Sequence, residues 1–376
     1  MDIVRVVYLA AFLMSVSMVD LEHFNPNAPG NPNNNIFGLP FTEEEAKVVI
    51  LPVPWEVTVS SGAGTSRSSE QIMKAALQVD LFDLNVPDGW KAGFFMREVN
   101  RKILMKSDYL RKEAELYIDY MTKGNAVEQN KFISKSLREI NEGSDHLNAW
   151  VYEQTKELLD ADKLVGLLGG DHSIPLGYVK ALAEKHGEFG ILQIDAHCDL
   201  RKAYEAFTYS HASIMYNILE EVPEVSRLVQ IGIRDLCEEE WNRVQESDNR
   251  IILYLDQHVK DRLYEGERWK EISDEIISHL PDKVYISFDI DGLDPKLCPN
   301  TGTPVPGGFD AEQMVYLFNK MAEQGKQIIG FDLVEIGSGE GCVDANVGAR
   351  LLWRLCNLLV QCNRMSEVSL KVAQAK

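Results

Sequence analysis

The feature that most constrains this chain is a recurring kind of segment. Seven short runs, nearly continuous in apolar residues, punctuate it: KVVILPV (47–53), KLVGLLG (163–169), FGILQID (189–195), LVQIGIR (228–234), RIILYLD (250–256), KVYISFD (283–289) and KQIIGFD (326–332). A strand with one wet face alternates apolar and polar residues, whereas a run that is apolar at almost every position reads as a strand buried on both faces. Helical patterns lie between the runs, such as YVKALAEKH (178–186), ERWKEISDEIISHL (267–280) and AEQMVYLFNKMAEQ (311–324). This alternation specifies a mostly parallel sheet covered by helices on both sides.

Several runs end in polar residues: Asp195, Arg234, Asp256, Asp289 and Asp332. In open α/β sheets ligands bind at the carboxyl ends of the strands, so the acids stand where such a site belongs.

The stretch from about 88 to 162 departs from the pattern. Its long, charged, amphipathic segments read as helices that cover the sheet edge or extend an interface. The Asn-, Pro- and Gly-rich segment FNPNAPGNPNNNIFG (24–38) reads as a loop or arm. We therefore expect an N-terminal arm over 1–40 and one domain over 41–376, carrying a helical insert at about 88–162. A chain of 376 residues suffices for one large α/β domain. The apolar stretch Val6–Met14 is too short to span a bilayer as a helix. The segment resembles a signal peptide only loosely, and a start misplaced upstream, with Met18 as the true one, explains it at least as well; residues 1–17 are set aside from the fold argument.

A net charge of −20, from 38 basic against 58 acidic residues, argues against nucleic acid or an anionic membrane as a partner. The six cysteines form no CxxC pair, which favours a reduced, cytoplasmic compartment.

Three segments carry the chemistry: LLGGDHSIP (167–175), QIDAHCDLR (193–201) and SFDIDGLDP (287–295). Residues i, i+2 and i+4 of a strand point the same way. Asp195, His197 and Asp199 are thus expected to converge at one strand end, and Asp289 and Asp291 at another. Cys198 should point away and pack behind the site. Crowded carboxylates repel one another unless cations sit among them. Two imidazoles and four carboxylates suit a pair of divalent ions, and the oxygen-rich set favours Mn²⁺-like ions over structural zinc. Such two-metal sites turn a bridging water into hydroxide near neutral pH. Each motif alone has an ordinary reading, as a turn former or a helix cap. Their conjunction after three expected strands is hard to obtain by packing.

GGDHS, DAHCD and SFDIDGLDP resemble the three signature motifs of the ureohydrolase family, which includes arginase, agmatinase and guanidinobutyrase. QIGIR (230–234), TGTPVPGGF (301–309) and GFDLVEIG (330–337) are similar to further motifs of that family. The resemblance implies a single three-layer α/β/α domain, commonly assembled as a trimer or hexamer. It implies that His172, Asp195, Asp199 and Asp289 bind one metal, and Asp195, His197, Asp289 and Asp291 the other. The metals would be two Mn²⁺, with Ni²⁺ as the variant. The substrate would be a cationic guanidino compound, cleaved to urea and an amine. His211 matches the family's catalytic histidine, a proton shuttle, and Glu335 its guanidinium-binding glutamate. Asp171 and Asp294 are expected to orient ligands or cap turns. Gly169 and Gly170 should permit the tight turn that delivers His172.

The chain departs from the family at Cys198, commonly Thr, at Ala212, commonly Gly, and at Glu56, where Asp is typical. TGTPVPGGF leans towards the agmatinase branch. Agmatine hydrolysis is therefore the expected activity. The alternatives are arginase, guanidinobutyrase, guanidine hydrolase, the formimidoylglutamate branch, and a metal-binding regulatory paralogue without activity.

Overall fold

The computed structural model describes residues 21, 23–60, 62–338 and 343–374. The segment 1–17 lies outside the described residues. In chain order the regular elements are β1 (Val48–Pro52), α1 (Ser68–Ala76), β2 (Phe94–Met96), α2 (Arg101–Thr122), α3 (Lys131–Asp160), β3 (Leu164–Leu168), α4 (Leu176–His186), β4 (Phe189–Ile194), α5 (Ile214–Glu221), β5 (Val225–Ile233), α6 (Glu238–Gln245), β6 (Ile251–Leu255), α7 (Asp256–Tyr264), α8 (Trp269–Ser278), β7 (Lys283–Asp289), α9 (Ala311–Glu323), β8 (Gln327–Val334) and α10 (Val343–Gln374).

All the strands join one parallel sheet in the order β2-β1-β3-β8-β7-β4-β5-β6. The continuous apolar runs are explained by what lies on either side. In β1, Val48 and Ile50 face a core shared with α1, α8, α9 and α10, while Val49 and Leu51 face a second core shared with α2, α3, α4 and α5. Successive side chains thus enter opposite cores, and both must be apolar. The fold is a three-layer α/β/α arrangement.

Two expectations for the 88–162 stretch need correcting. It contains the edge strand β2, paired with β1, where only helices were expected. Three residues are too few to show a period, and Gly93 at φ +76 breaks the chain just before them. Nor do its helices merely cover the sheet edge. Leu110, Tyr117, Ile140, Leu147 and Val151 are buried in the second core, so α2 and α3 lie across a face. Asn100 and Asn130 cap them, each side chain accepting from the N–H groups two and three residues on.

Consecutive strands β3 and β4 are separated in space by β8 and β7, so the strand order switches in the middle of the sheet. The carboxyl ends of these four strands are where a cleft is expected.

Candidate metal centre

β3 leads to His172 through Gly169 and Gly170, at φ +77 and +78. A Cβ on Gly170 would lie 2.5 Å from the Val53 carbonyl oxygen and 2.6 Å from that of Trp55, so the turn is closed to any side chain. Asp171 closes the adjoining turn, accepting from the Ser173 N–H at 3.0 Å. Asp294 does the same in its own loop, accepting from the Lys296 N–H at 3.0 Å.

β4 ends at Ile194, and Asp195, His197 and Asp199 lie just beyond it. Strand alternation accounts for only part of their convergence. His197 still pairs as an isolated parallel bridge with Asp235, but Asp199 sits at φ +54, in the left-handed region. Asp199 is therefore brought in by a turn. The same holds for β7: Asp289 is its last residue, and Asp291 lies in the 3-10 turn Ile290–Gly292, donating its N–H to Asp289 Oδ1 at 2.9 Å. Cys198 does face elsewhere. It is fully buried in the second core, and its carbonyl accepts from Gln230 Nε2 at 2.7 Å.

The six residues come together as two groups. His172 Nδ1 lies 2.9 Å from Asp195 Oδ2, 3.0 Å from Asp199 Oδ2 and 3.4 Å from Asp289 Oδ2. His197 Nδ1 lies 3.1 Å from Asp291 Oδ2 and 3.5 Å from Asp195 Oδ1. Ligand atoms of His172, Asp195 and Asp289 lie within 4.8 Å of one another, as do those of Asp195, His197 and Asp291. Asp195 belongs to both groups and sits between them.

The hydrogen bonds behind His172 decide its tautomer. Its Nε2 lies 2.8 Å from Ser287 Oγ, and Ser287 Oγ donates to Asp332 Oδ1 at 3.1 Å. Tyr285 donates to the other Asp332 oxygen at 2.6 Å. A hydroxyl has one proton. Ser287 spends it on Asp332 and must accept from His172 Nε2–H. With that proton on Nε2, a neutral ring turns an Nδ1 lone pair towards three carboxylates; without cations among them, burial opposes the ring's charged form but Asp195, Asp199 and Asp289 outweigh it and push the ring well above its ordinary value. That Nδ1 is buried and has no hydrogen-bond partner. A lone pair among anionic oxygens, with the other ring nitrogen fixed by a relay to a carboxylate, is the arrangement of a metal-ligating histidine.

Electrostatics point the same way. Burial pushes the Asp289 carboxyl well above its usual range, and the charges of Asp291 and Asp195 push it further. Burial and Asp195 raise Asp199 to about 7. Burial opposes the charged form of His197, but Asp291 and Asp195 outweigh it and push the ring up to about 12. The site thus demands positive charge. Protons supply it at the cost of protonating buried carboxylates and imidazoles; divalent ions supply it directly. The donor set of imidazole nitrogen and carboxylate oxygen fits them.

His211 and Glu335 both lie next to this cluster. His211, half-buried, lines a cavity of about 160 Å³ together with His197, Asp199, Ser60, Tyr204 and Thr303. Its backbone N–H donates to Thr58 Oγ1 at 3.2 Å, and its Nδ1 lies 3.4 Å from the same oxygen. Burial, with His197 and His172 nearby, pulls its ring down to about 3, so it is neutral at pH 7. Glu335 is buried just past β8, at φ +58, where only a few per cent of non-glycine residues sit. Its Oε1 accepts from the His172 N–H at 2.9 Å, and its own N–H donates to the Gly170 carbonyl at 3.0 Å. Burial, then Asp171, raises its carboxyl well above the usual range.

Residues 46–356 match the model of the arginase family. The chain belongs to the arginase family. It is similar to N(1)-aminopropylagmatine ureohydrolase of Thermus thermophilus, at 32% identity over 294 residues, 78% of this chain and 83% of that protein. It is also similar to agmatinase of Bacillus cereus, at 28% identity over 294 residues, 78% of this chain and 84% of that one. Among solved structures, agmatine ureohydrolase of Thermoplasma volcanium superposes with a TM-score of 0.64 at 21% identity, covering 92% of this chain and 98% of that one, which supports the fold. As an arginase-family ureohydrolase, the chain is a hydrolase of carbon–nitrogen bonds in amidines. A binuclear metal centre is typical of the family.

Three supporting residues carry little or no mark of their role in the sequence. Ser287 stands inside the SFDIDGLDP motif but has no charge to single it out. Thr58 lies in a loop whose partner, His211, is 153 positions away. Arg234 Nη2 donates to the carbonyls of Asp291 and Val305, at 2.6 and 2.9 Å, pinning the loop after β7. Only the polar strand end marks it.

Proposed function

We propose that this arginase-family hydrolase cleaves agmatine, or a close guanidino amine, to urea and a primary amine, using a pair of divalent ions, Mn²⁺ or Ni²⁺. The observation that carries the metal assignment is the buried, unpartnered Nδ1 of His172 among three carboxylates. His172, Asp195, Asp199 and Asp289 would hold one ion, and Asp195, His197, Asp289 and Asp291 the other. When bound, the pair supplies a hydroxide nucleophile near neutral pH.

The chain's own residues do the rest. Glu335 offers its second oxygen to the guanidinium, while its first holds the His172 backbone. His211, neutral at pH 7, takes up a proton in the cavity and delivers it to the departing amine nitrogen. The reaction consumes one water per guanidinium; urea leaves, and the amine departs protonated.

Support for a cationic tail comes from the cavity wall. Asp235 and Glu240, which are outside the ligand set, outnumber one arginine, Arg201, which lies 5.1 Å over the Tyr204 ring and 3.9 Å from Glu240. An engaged guanidinium is a poor anchor for a substrate carboxylate. A guanidino acid is the second reading, favoured by the exposure of Arg201, 37% of its side chain.

The test is urea release from agmatine, arginine, guanidinobutyrate, guanidinopropionate and guanidine, with Mn²⁺ and Ni²⁺ compared. Agmatine should lead. A preference for guanidinobutyrate would select the second reading, and no urea from any of them would refute both. Glu335→Gln should weaken guanidino substrates while keeping metal content; loss of metal would show that its role is structural.

A further inference from the structure

The two long helices α2 and α3 take no part in the chemistry proposed above, yet both bond to the loops that carry the cavity-lining residues Ser60, Tyr204 and His211. On one wall, Arg111 of α2, its side chain 14% exposed, donates through Nη1 to the carbonyl of Val59 and, at 3.4 Å, to that of Val57. One turn earlier, Ser107 Oγ accepts from the Glu56 N–H at 3.1 Å. Asp108 takes Arg67 Nη2 at 2.8 and 2.9 Å. On the other wall, Asn141 of α3 accepts from the Thr208 N–H at 2.9 Å and donates to the Ala206 carbonyl at 3.3 Å. Tyr117 of α2 packs on Phe207, with ring centroids 5.2 Å apart.

Both walls lead to one residue. Between Val57 and Val59 is Thr58, whose hydroxyl accepts from the His211 N–H and also lies 3.4 Å from Asp171 Oδ2. Thr208, held by Asn141, is three positions before His211. A helical layer that only shields a sheet needs apolar contacts. This one also makes polar contacts to loop backbone on both sides of the cavity, one from a guanidinium that cannot shed its charge.

We infer that the α2–α3 hairpin is a brace that sets the position of His211. Arg111 fixes the carbonyls on either side of Thr58, Thr58 holds the His211 backbone, and Asn141 holds the approach from the other side. Arg111, Thr58 and Asn141 are positioning residues. The catalytic part of this inference rests on the proposed role of His211.

The experiment uses the full chain loaded with Mn²⁺, the best guanidino substrate of the panel, and the variants Arg111→Met, Arg111→Lys, Thr58→Val and Asn141→Ala. Arg111→Met and Thr58→Val should each lower kcat by about tenfold or more, because small misplacement of a catalytic group is costly. KM and metal content should stay near wild type. Arg111→Lys should recover part of the loss. The Arg111→Met/Thr58→Val double variant should be little worse than either single one, since they act through one path. Deuterium uptake should rise in 56–60 and 204–211 and stay unchanged in β3, β4 and β7. Glu115→Gln, which removes the 3.2 Å pair with Arg111 but spares the carbonyl contacts, should behave as wild type. A kcat within twofold of wild type for Arg111→Met, or additive losses in the double variant, would overturn the inference. If Arg111→Met does not fold, Asn141→Ala decides from the other wall. If the wild type releases no urea, the reading of His211 fails, and the exchange measurement alone judges the brace; unchanged uptake would sink it.

Discussion

Replacing Gly170 with Ala tests how the fold delivers His172, the first of the proposed ligands. The residue sits at φ +78, a conformation that costs an L-residue about 1–2 kcal/mol. The added methyl would lie 2.5 and 2.6 Å from two backbone oxygens, roughly half an ångström inside the 3.0 Å that real Cβ contacts keep. Those oxygens belong to the segment after β1 and cannot swing aside as a side chain would. Overpacking of this kind costs about 1–3 kcal/mol more, so Gly170→Ala should destabilise the protein by about 2–5 kcal/mol in total. Its effect on the site should be larger. His172 is two residues further on, and ligand distances tolerate only about 0.2 Å. A turn displaced by roughly 0.5 Å should therefore lose His172 as a ligand. Gly325 is the control: it has φ +78, in the turn that ends α9, but nothing within 4 Å of an added Cβ. Gly325→Ala should cost about 1–2 kcal/mol and keep its metal. The assays are thermal unfolding and metal content by mass spectrometry. If Gly170→Ala matches Gly325→Ala in both, the steric argument for the GGDHS turn is wrong.

Single contacts give three further predictions. Ser287→Ala leaves the His172 Nε2–H without a partner in a buried site; metal affinity should fall by about 10–100-fold, and an unchanged affinity would refute the tautomer assignment. Cys198→Thr should keep full metal content, because residue 198 faces the second core; a large loss would show that it contacts the ions. His186, outside the site, is pulled down to about 4 by burial, then by Lys283 and Lys185. Its folded form binds fewer protons than the unfolded chain between about pH 4 and 6.5, so stability should rise with pH across that window and fall on acidification. The contribution is about 1–3 kcal/mol after allowance for partial exposure, and His186→Gln should flatten that slope in denaturant unfolding; an unchanged slope would exclude it.

The sheet was legible because its strands are buried on both faces. Continuous apolar runs such as FGILQI have no other economical reading at that length, and the observed strands fall within a few residues of them. β2 escaped because three residues carry no period. The placement of α2 and α3 escaped because amphipathicity says that a face is buried without saying against what. At the site, the acids and histidines announced themselves by type and spacing, but strand alternation explains only part of their approach. The left-handed Asp199 and the 3-10 turn at Asp291 are tertiary outcomes that a period of two does not encode. Supporting residues were harder still. Ser287, Thr58 and Arg111 act through hydrogen bonds to residues more than 50 positions away, which no local pattern records.

The central claim is that six side chains hold two divalent ions. Titration of the metal-depleted protein with Mn²⁺, monitored by calorimetry and elemental analysis alongside urea release, tests it most directly. The account predicts two Mn²⁺ per chain, urea production that appears only as both sites fill, and loss of both metal and activity in Asp289→Asn. One ion per chain at saturation, or an Asp289→Asn variant that keeps two ions and full turnover, would contradict it.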